Sequence, residues 1–217
     1  MVRRIETESV SGFIHEPGQM TKTTGAGLAL THGAGANCEA GLLTTVAETF
    51  AACGMTVLRF NLAFRRKRRF GPPHPSSAAA DRESIRAAMA ALRAEVAGPV
   101  YMGGHSYGGR QATMLAAEEP EIAAGLLLFS YPLHPPNKPE QPRTAHFPSL
   151  RTPGLFVHGD ADPFGSPEEM RAALEMIPAP TRLMTIERAG HDLRKGRIDA
   201  AAVLTALTEA RECRRPR

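Results

Sequence analysis

The stretch Val100-Tyr101-Met102-Gly103-Gly104-His105-Ser106-Tyr107-Gly108-Gly109-Arg110 decides how the rest of the chain reads. Val100 to Met102 is a short apolar run with the character of a buried strand, and Arg110 to Glu119 follows at once with a helical pattern. Between them lies Gly104-x-Ser106-x-Gly108. A strand that turns sharply into a helix holds the turn residue in a strained conformation and lifts its hydroxyl clear of the sheet. The flanking positions need glycine so that strand and helix can approach. The pattern therefore predicts Ser106 as an activated nucleophile, with the backbone N–H of Tyr107 at the helix N-terminus available to an oxyanion.

An activated serine needs a base, and the base needs an orienting carboxylate. After such an elbow the acid comes next along the chain and the histidine last. Two strand ends follow Ser106 in suitable places. Gly154–His158 runs into Gly159-Asp160-Ala161-Asp162-Pro163, and Arg182–Ile186 runs into Glu187-Arg188-Ala189-Gly190-His191-Asp192. Both loops fall at the C-terminal edge of the sheet, where ligands bind in sheets of this kind. His191, the one histidine beyond the candidate acid, is expected as general base. Asp162 is expected as the acid because it has more loop with which to reach sideways; Asp160, beside Gly159, is the alternative.

Working back towards the N-terminus, Gly27–Thr31 is a short apolar strand that ends in His32-Gly33-Ala34-Gly35. Small residues there let a backbone N–H approach a substrate oxygen, so Ala34 is expected as the second oxyanion donor. His32, Gly33 and Gly35 are expected to line the substrate. So are Asn61, after the strand Met55–Phe60, and Tyr131 and His134, after the strand Gly125–Phe129. Ser9 to His15 reads as an early antiparallel edge strand. Residues 39–52, 78–97, 166–177 and 199–211 read as helices, the third opened by an N-cap pattern in Ser166-Pro167-Glu168-Glu169. Arg65 to Ser77 and Tyr131 to Thr152 read as loops. Strands alternating with helices imply an α/β fold, a mostly parallel sheet with helices on both faces, in one domain over residues 1–217.

Composition sets the outer limits. A chain of 217 residues with 42% hydrophobic content can bury a full α/β core. No apolar run approaches membrane-spanning length, and the N-terminus lacks the apolar stretch of a signal peptide. Cys38, Cys53 and Cys213 follow no metal or disulfide spacing, so a cytoplasmic setting is expected. The net charge is +4, and the run Arg65-Arg66-Lys67-Arg68-Arg69 carries more than that whole excess. Basicity is thus local, and no nucleic-acid partner is expected. The run itself reads as a solvated basic loop, or else as a capture site for an anionic substrate. No phosphate loop, nicotinamide fingerprint or metal-ligand cluster is present, so no cofactor and no metal are expected. The sequence does not give an oligomeric state.

Taken together, Gly104 to Gly108, Asp162, His191 and His32 to Gly35 resemble the α/β-hydrolase superfamily over nearly the whole chain. More narrowly, Leu30 to Gly35, Arg59-Phe60-Asn61, Gly103 to Arg110 and Ser130 to Pro136 are similar to a small branch of it. That branch groups bacterial hydrolases related to dienelactone hydrolase with the testis-expressed and nonspecific-lethal-complex proteins of animals. The resemblance implies a domain without a large inserted cap. It departs from the family in three places. Dienelactone hydrolase uses a cysteine nucleophile where this chain has Ser106, and His105 and Tyr107 stand where the branch carries a basic residue and a methionine. The expected activity is cleavage of a small-molecule ester or thioester through an acyl-enzyme. The alternatives are a peptidase or amidase with the same three residues, and an interaction scaffold that keeps only the fold.

Overall fold

Alternation at period two sorts the strand residues into two layers. Leu126, Leu128, Ala29, Met102 and Phe156 face one cluster of buried side chains, while Leu127, Phe129, Leu28, Leu30, Leu155 and Val157 face the other. A computed structural model of the chain describes residues 1–196 and 198–212. Its sheet has eight strands: β1 (Val2–Glu6), β2 (Ser11–His15), β3 (Gly27–Thr31), β4 (Thr56–Phe60), β5 (Val100–His105), β6 (Leu126–Phe129), β7 (Gly154–Gly159) and β8 (Thr181–Ile186). Their spatial order is β1-β2-β4-β3-β5-β6-β7-β8. β1 and β2 run antiparallel to their neighbours, and β3 to β8 are mutually parallel.

Helices cover both faces, and no large cap is inserted. On one side α3 (Ala78–Arg93), α4 (Tyr107–Glu118) and α5 (Pro167–Leu174) bury Ile85, Met89, Leu92, Leu115 and Met170. On the other, α1 (Gly41–Ala52) and α6 (Ala200–Glu212) bury Leu43, Val46, Phe50, Val203 and Leu207. Each such aliphatic or aromatic side chain contributes roughly 1.5–3 kcal/mol on burial. The Ser166 capping box forms: Ser166 Oγ accepts from the Glu169 amide, and the Glu169 carboxylate accepts from the Ser166 amide.

Two expectations are corrected. The strand at residues 11–15 is not the edge; β1 pairs along its outer side. β1 is short and charged, with Arg3 ion-paired to Glu16 and Glu95, so it lacks the apolar alternation that reveals a strand. The segment from Arg65 is not wholly loop, because Ala63–Lys67 forms a short helix, α2. Its first turn is capped from far along the chain, the Phe64 amide donating to Asp81 Oδ1 at 2.9 Å. The segment 131–152 is a loop apart from one 3-10 turn at Phe147–Ser149. Cys38 and Cys53 are free thiols, and Cys213 lies outside the described residues.

Candidate active site

Parallel strands bring their C-terminal ends to one edge, and β3, β5, β7 and β8 each deliver a loop there. Ser106 stands between β5 and α4 with φ 52° and ψ −117°, a region that costs a residue with a Cβ about 1–2 kcal/mol. The turn closes only on glycine. A Cβ at Gly108 would lie 2.5 Å from the His32 carbonyl oxygen, and one at Gly104 would lie 2.9 Å from the Gly108 carbonyl carbon.

Ser106 Oγ lies 2.7 Å from His191 Nε2. His191 Nδ1 lies 2.8 Å from Asp162 Oδ2 and 3.0 Å from Oδ1, and the Asp162 side chain has no solvent exposure. Asp162 Oδ1 also accepts the Phe164 amide at 2.9 Å, which fixes the carboxylate in its turn. His158, on β7, donates from Nε2 to the Gly165 carbonyl at 2.7 Å and ties that loop down. Asp160 is exposed and braces the neighbouring loop, accepting the Ala189 amide at 3.2 Å. With the carboxylate taking Nδ1–H, the lone pair of Nε2 faces the serine hydroxyl. This arrangement can accept the Ser106 proton as the oxygen attacks an electrophile.

Two aromatic neighbours that sequence reasoning passed over hold the histidine. The Phe164 ring stacks on His191 at 4.1 Å between centroids, tilted by 32°. His105 Nε2–H donates to the His191 carbonyl at 2.8 Å, and burial pushes the His105 imidazole pKa down, so the ring stays neutral. His105 immediately precedes the serine, but only the three-dimensional approach of β5 to the loop after β8 reveals its partner.

A cavity of about 760 Å³ opens over Ser106. Gly33, Ala34 and Gly35 form part of its wall, with Leu42, Leu43 and Val46 from α1, Phe164, and Leu193 and Ile198 beyond His191. Among the described residues its charged lining besides the histidines is Asp192 and Arg194, which pair with each other at 3.5 Å on the exposed rim. The Tyr107 side chain turns away from the cavity, its hydroxyl donating to Asp81 Oδ2 at 2.7 Å. Its backbone N–H stands in the first turn of α4, where amides have no intrahelical acceptor.

Four residues expected to touch substrate do not line this cavity. His32 is fully buried and serves the backbone, with Nδ1–H donating to the Gly33 carbonyl at 2.9 Å and Nε2 accepting the Leu62 amide at 3.2 Å. Asn61 Oδ1 accepts the Cys38 amide at 2.9 Å. Tyr131 lies in the core, its hydroxyl donating to the Arg143 carbonyl at 2.6 Å. His134 bonds the Pro135 carbonyl at 2.8 Å and reaches Glu169 at 3.5 Å. The basic run is not a uniformly solvated surface either. Arg65 is only 8% exposed, and Arg66 is bound to the Ser9 carbonyl at 2.8 Å. None of Arg65 to Arg69 lines the cavity. Among the described residues no three His, Cys, Asp or Glu side chains converge as metal ligands.

Burial holds the His32 pKa down at about 4. Below about pH 6.5 the unfolded chain takes up a proton on this ring that the folded chain refuses until about pH 4. Stability is thus fully present above pH 6.5 and falls as pH drops towards 4. Lowering the pH from 7.5 to 5 is expected to cost about 2 kcal/mol from His32 alone, read as a fall in the urea midpoint. A ring that titrates near 6.5 by NMR in the folded protein would refute this.

Sheet order, elbow geometry and strand-end loops together define an α/β-hydrolase fold. The chain belongs to the alpha/beta hydrolase domain family, whose pattern it matches over residues 24–213. Solved structures agree in fold. A protein from Thermus thermophilus superposes with a TM-score of 0.74 at 21% identity, over 99% of each chain. Dienelactone hydrolase from Anabaena variabilis gives 0.70 at 20% identity, over 98% of this chain and 95% of its own. An α/β serine hydrolase without a lid from Xanthomonas campestris gives 0.70 at 17% identity, over 100% of this chain and 95% of its own.

Proposed function

We propose that this protein is a serine hydrolase that cleaves neutral carboxylic esters or thioesters with an apolar acyl group. The observation that carries the reading is the unbroken chain from Ser106 Oγ to His191 at 2.7 Å and from His191 to buried Asp162 at 2.8 Å. In the first step Ser106 Oγ forms a bond to the acyl carbon while its proton passes to His191 Nε2. The displaced electron pair resides on the carbonyl oxygen, which accepts from the amides of Ala34 and Tyr107. Collapse breaks the bond to the alcohol or thiol, and His191 Nε2–H protonates that leaving group. Water then gives its proton to His191 and attacks the acyl-enzyme, and a second collapse returns the proton to Ser106 Oγ. Asp162 accepts from Nδ1–H throughout and stabilises the imidazolium.

The apolar wall of Leu42, Leu43, Val46, Leu193 and Ile198 favours a hydrocarbon acyl chain. Among the described residues the rim carries one charge of each sign, Asp192 and Arg194, and so adds no net positive charge for an anionic one. In a series of neutral thioesters or esters, kcat/KM is expected to rise by up to about four-fold per added methylene until the cavity is full. A terminal carboxylate on the acyl chain is expected to cost about ten-fold or more, because it must be desolvated without a partner. Faster cleavage of the anionic ester than of its neutral isostere would reverse the assignment of substrate class. A fluorophosphonate probe tests the chemistry itself. Wild type is expected to be labelled and Ser106→Ala not; an unlabelled wild type that also cleaves no ester would overturn the reading.

A further inference from the structure

We propose that Arg65 is a positioning residue for the oxyanion site, an inference that rests on the hydrolase mechanism above. The loop that supplies the Ala34 amide is Gly33-Ala34-Gly35-Ala36. Residues this small can come close to a substrate, but they have no side chains with which to hold themselves in place. Their rigidity has to come from outside the loop.

Arg65, on α2, supplies it. Its Nε donates to the Ala36 carbonyl at 2.7 Å, and Nη2 donates to the Ala34 carbonyl at 2.8 Å and the Gly71 carbonyl at 3.1 Å. Nη1 donates to the carbonyls of Arg69 at 2.7 Å and Arg68 at 3.2 Å. Five carbonyls thus face a group that has five N–H donors. None of these partners is a carboxylate. A buried guanidinium held by backbone dipoles and by the Phe64 ring, 4.8 Å away, with no carboxylate among its hydrogen-bond partners, is a costly device unless it fixes something, and what it fixes is the loop beside Ser106.

The opposite side of Ala34 is fixed as well. The Gly33 carbonyl, which shares its peptide plane with the Ala34 N–H, accepts from His32 Nδ1 at 2.9 Å and from the Ala36 amide at 3.2 Å. His32 Nε2 in turn accepts the Leu62 amide at 3.2 Å, one residue before α2. Both peptide planes that meet at Ala34 are therefore anchored to α2, one through His32 and one through Arg65. The direction of the Ala34 N–H follows from those two anchors. The chain from the Leu62 amide through His32 to the Gly33 carbonyl also polarises that N–H towards an incoming negative charge. A pre-aimed donor of this kind matters in the transition state and little in substrate binding.

The test is steady-state kinetics of Arg65→Lys and Arg65→Ala on a neutral ester, with binding of an alkylboronic acid, whose tetrahedral adduct on Ser106 mimics the intermediate. Losing one oxyanion donor costs roughly 10²–10³ in kcat, so loosening one is expected to cost about 10- to 100-fold with KM changed less than about three-fold. Boronic acid affinity should fall by the same factor as kcat. Lysine should not restore activity, since one ammonium cannot span the Ala34 and Ala36 carbonyls. Millimolar guanidinium should restore part of it to Arg65→Ala. Arg66→Gln, which removes a neighbouring cation bound to Ser9, should leave kcat unchanged. If Arg65→Ala fails to fold, Arg65→Lys carries the test. Full kcat in a folded Arg65 variant, or a loss confined to KM with boronic acid affinity intact, would overturn the proposal. A wild type inert to both fluorophosphonate and esters would instead overturn the hydrolase reading, and the positioning role with it.

Discussion

Ser106→Ala is expected to lower kcat for any cleaved ester by roughly 10⁴–10⁶-fold, leaving only what the remaining donors and the binding cavity supply. Binding of a non-hydrolysable analogue should hold, because Oγ is hydrogen-bonded to His191 and the apolar wall of the cavity is built from other residues. The elbow adds a second, independent readout. At φ 52° a Cβ is strained and glycine is not, so Ser106→Gly should be as inactive as Ser106→Ala and yet more stable by about 1 kcal/mol. Calorimetry or urea unfolding measures the difference. Equal stabilities would mean that the turn relaxes around alanine, and residual ester cleavage near wild type would move the nucleophile elsewhere.

The strain at Ser106 is also why this part of the molecule was legible from sequence. Only a small set of residues closes a strand–helix turn so tight that a Cβ at Gly108 would lie 2.5 Å from a carbonyl oxygen. Glycines at fixed offsets are therefore a physical requirement that the sequence must display. The strand end at Gly159 was legible for a similar reason: a buried parallel strand such as β7 is a continuous apolar run, and the loop after it must carry the polar chemistry. β8, an edge strand that is only partly buried, shows itself through Leu183, Met184 and Ile186.

What stayed illegible depends on which way a loop turns after its strand. Ser130 follows β6 just as Ser106 follows β5 and takes a similar φ, 48° against 52°, yet the next residue, Tyr131, sends its ring into the core against Phe147 and Phe156. Asn61 and His32 leave their strands with polar ends that backbone amides claim first. Arg65 looked like one more surface cation because its five acceptors are carbonyls, which no side-chain pattern announces. β1 escaped because a charged edge strand hides the alternation by which strands are found.

Two aspartates compete in one loop, and their roles separate on the hydrogen bonds they make. Asp162 is fully buried and accepts His191 Nδ1–H, which leaves Nε2 free to accept the Ser106 proton. An asparagine there can offer an N–H to Nδ1 instead. That favours the tautomer with the proton on Nε2, which cannot act as base, and it removes the charge that stabilises the imidazolium. Asp162→Asn is accordingly expected to lower kcat by about 10⁴-fold at neutral pH. KM should change little, since Asp162 does not line the cavity. Asp160 is exposed, and the atom it uses, Oδ1, accepts the Ala189 amide at 3.2 Å. Asparagine retains that acceptor, so Asp160→Asn should keep activity within about three-fold, the scale expected of a surface substitution away from special features. Paired kinetic measurements on the two variants, each checked for its unfolding midpoint, decide between them. Should Asp160→Asn abolish cleavage while Asp162→Asn retains it, the acid would have to be reassigned and His191 would need a different orienting partner.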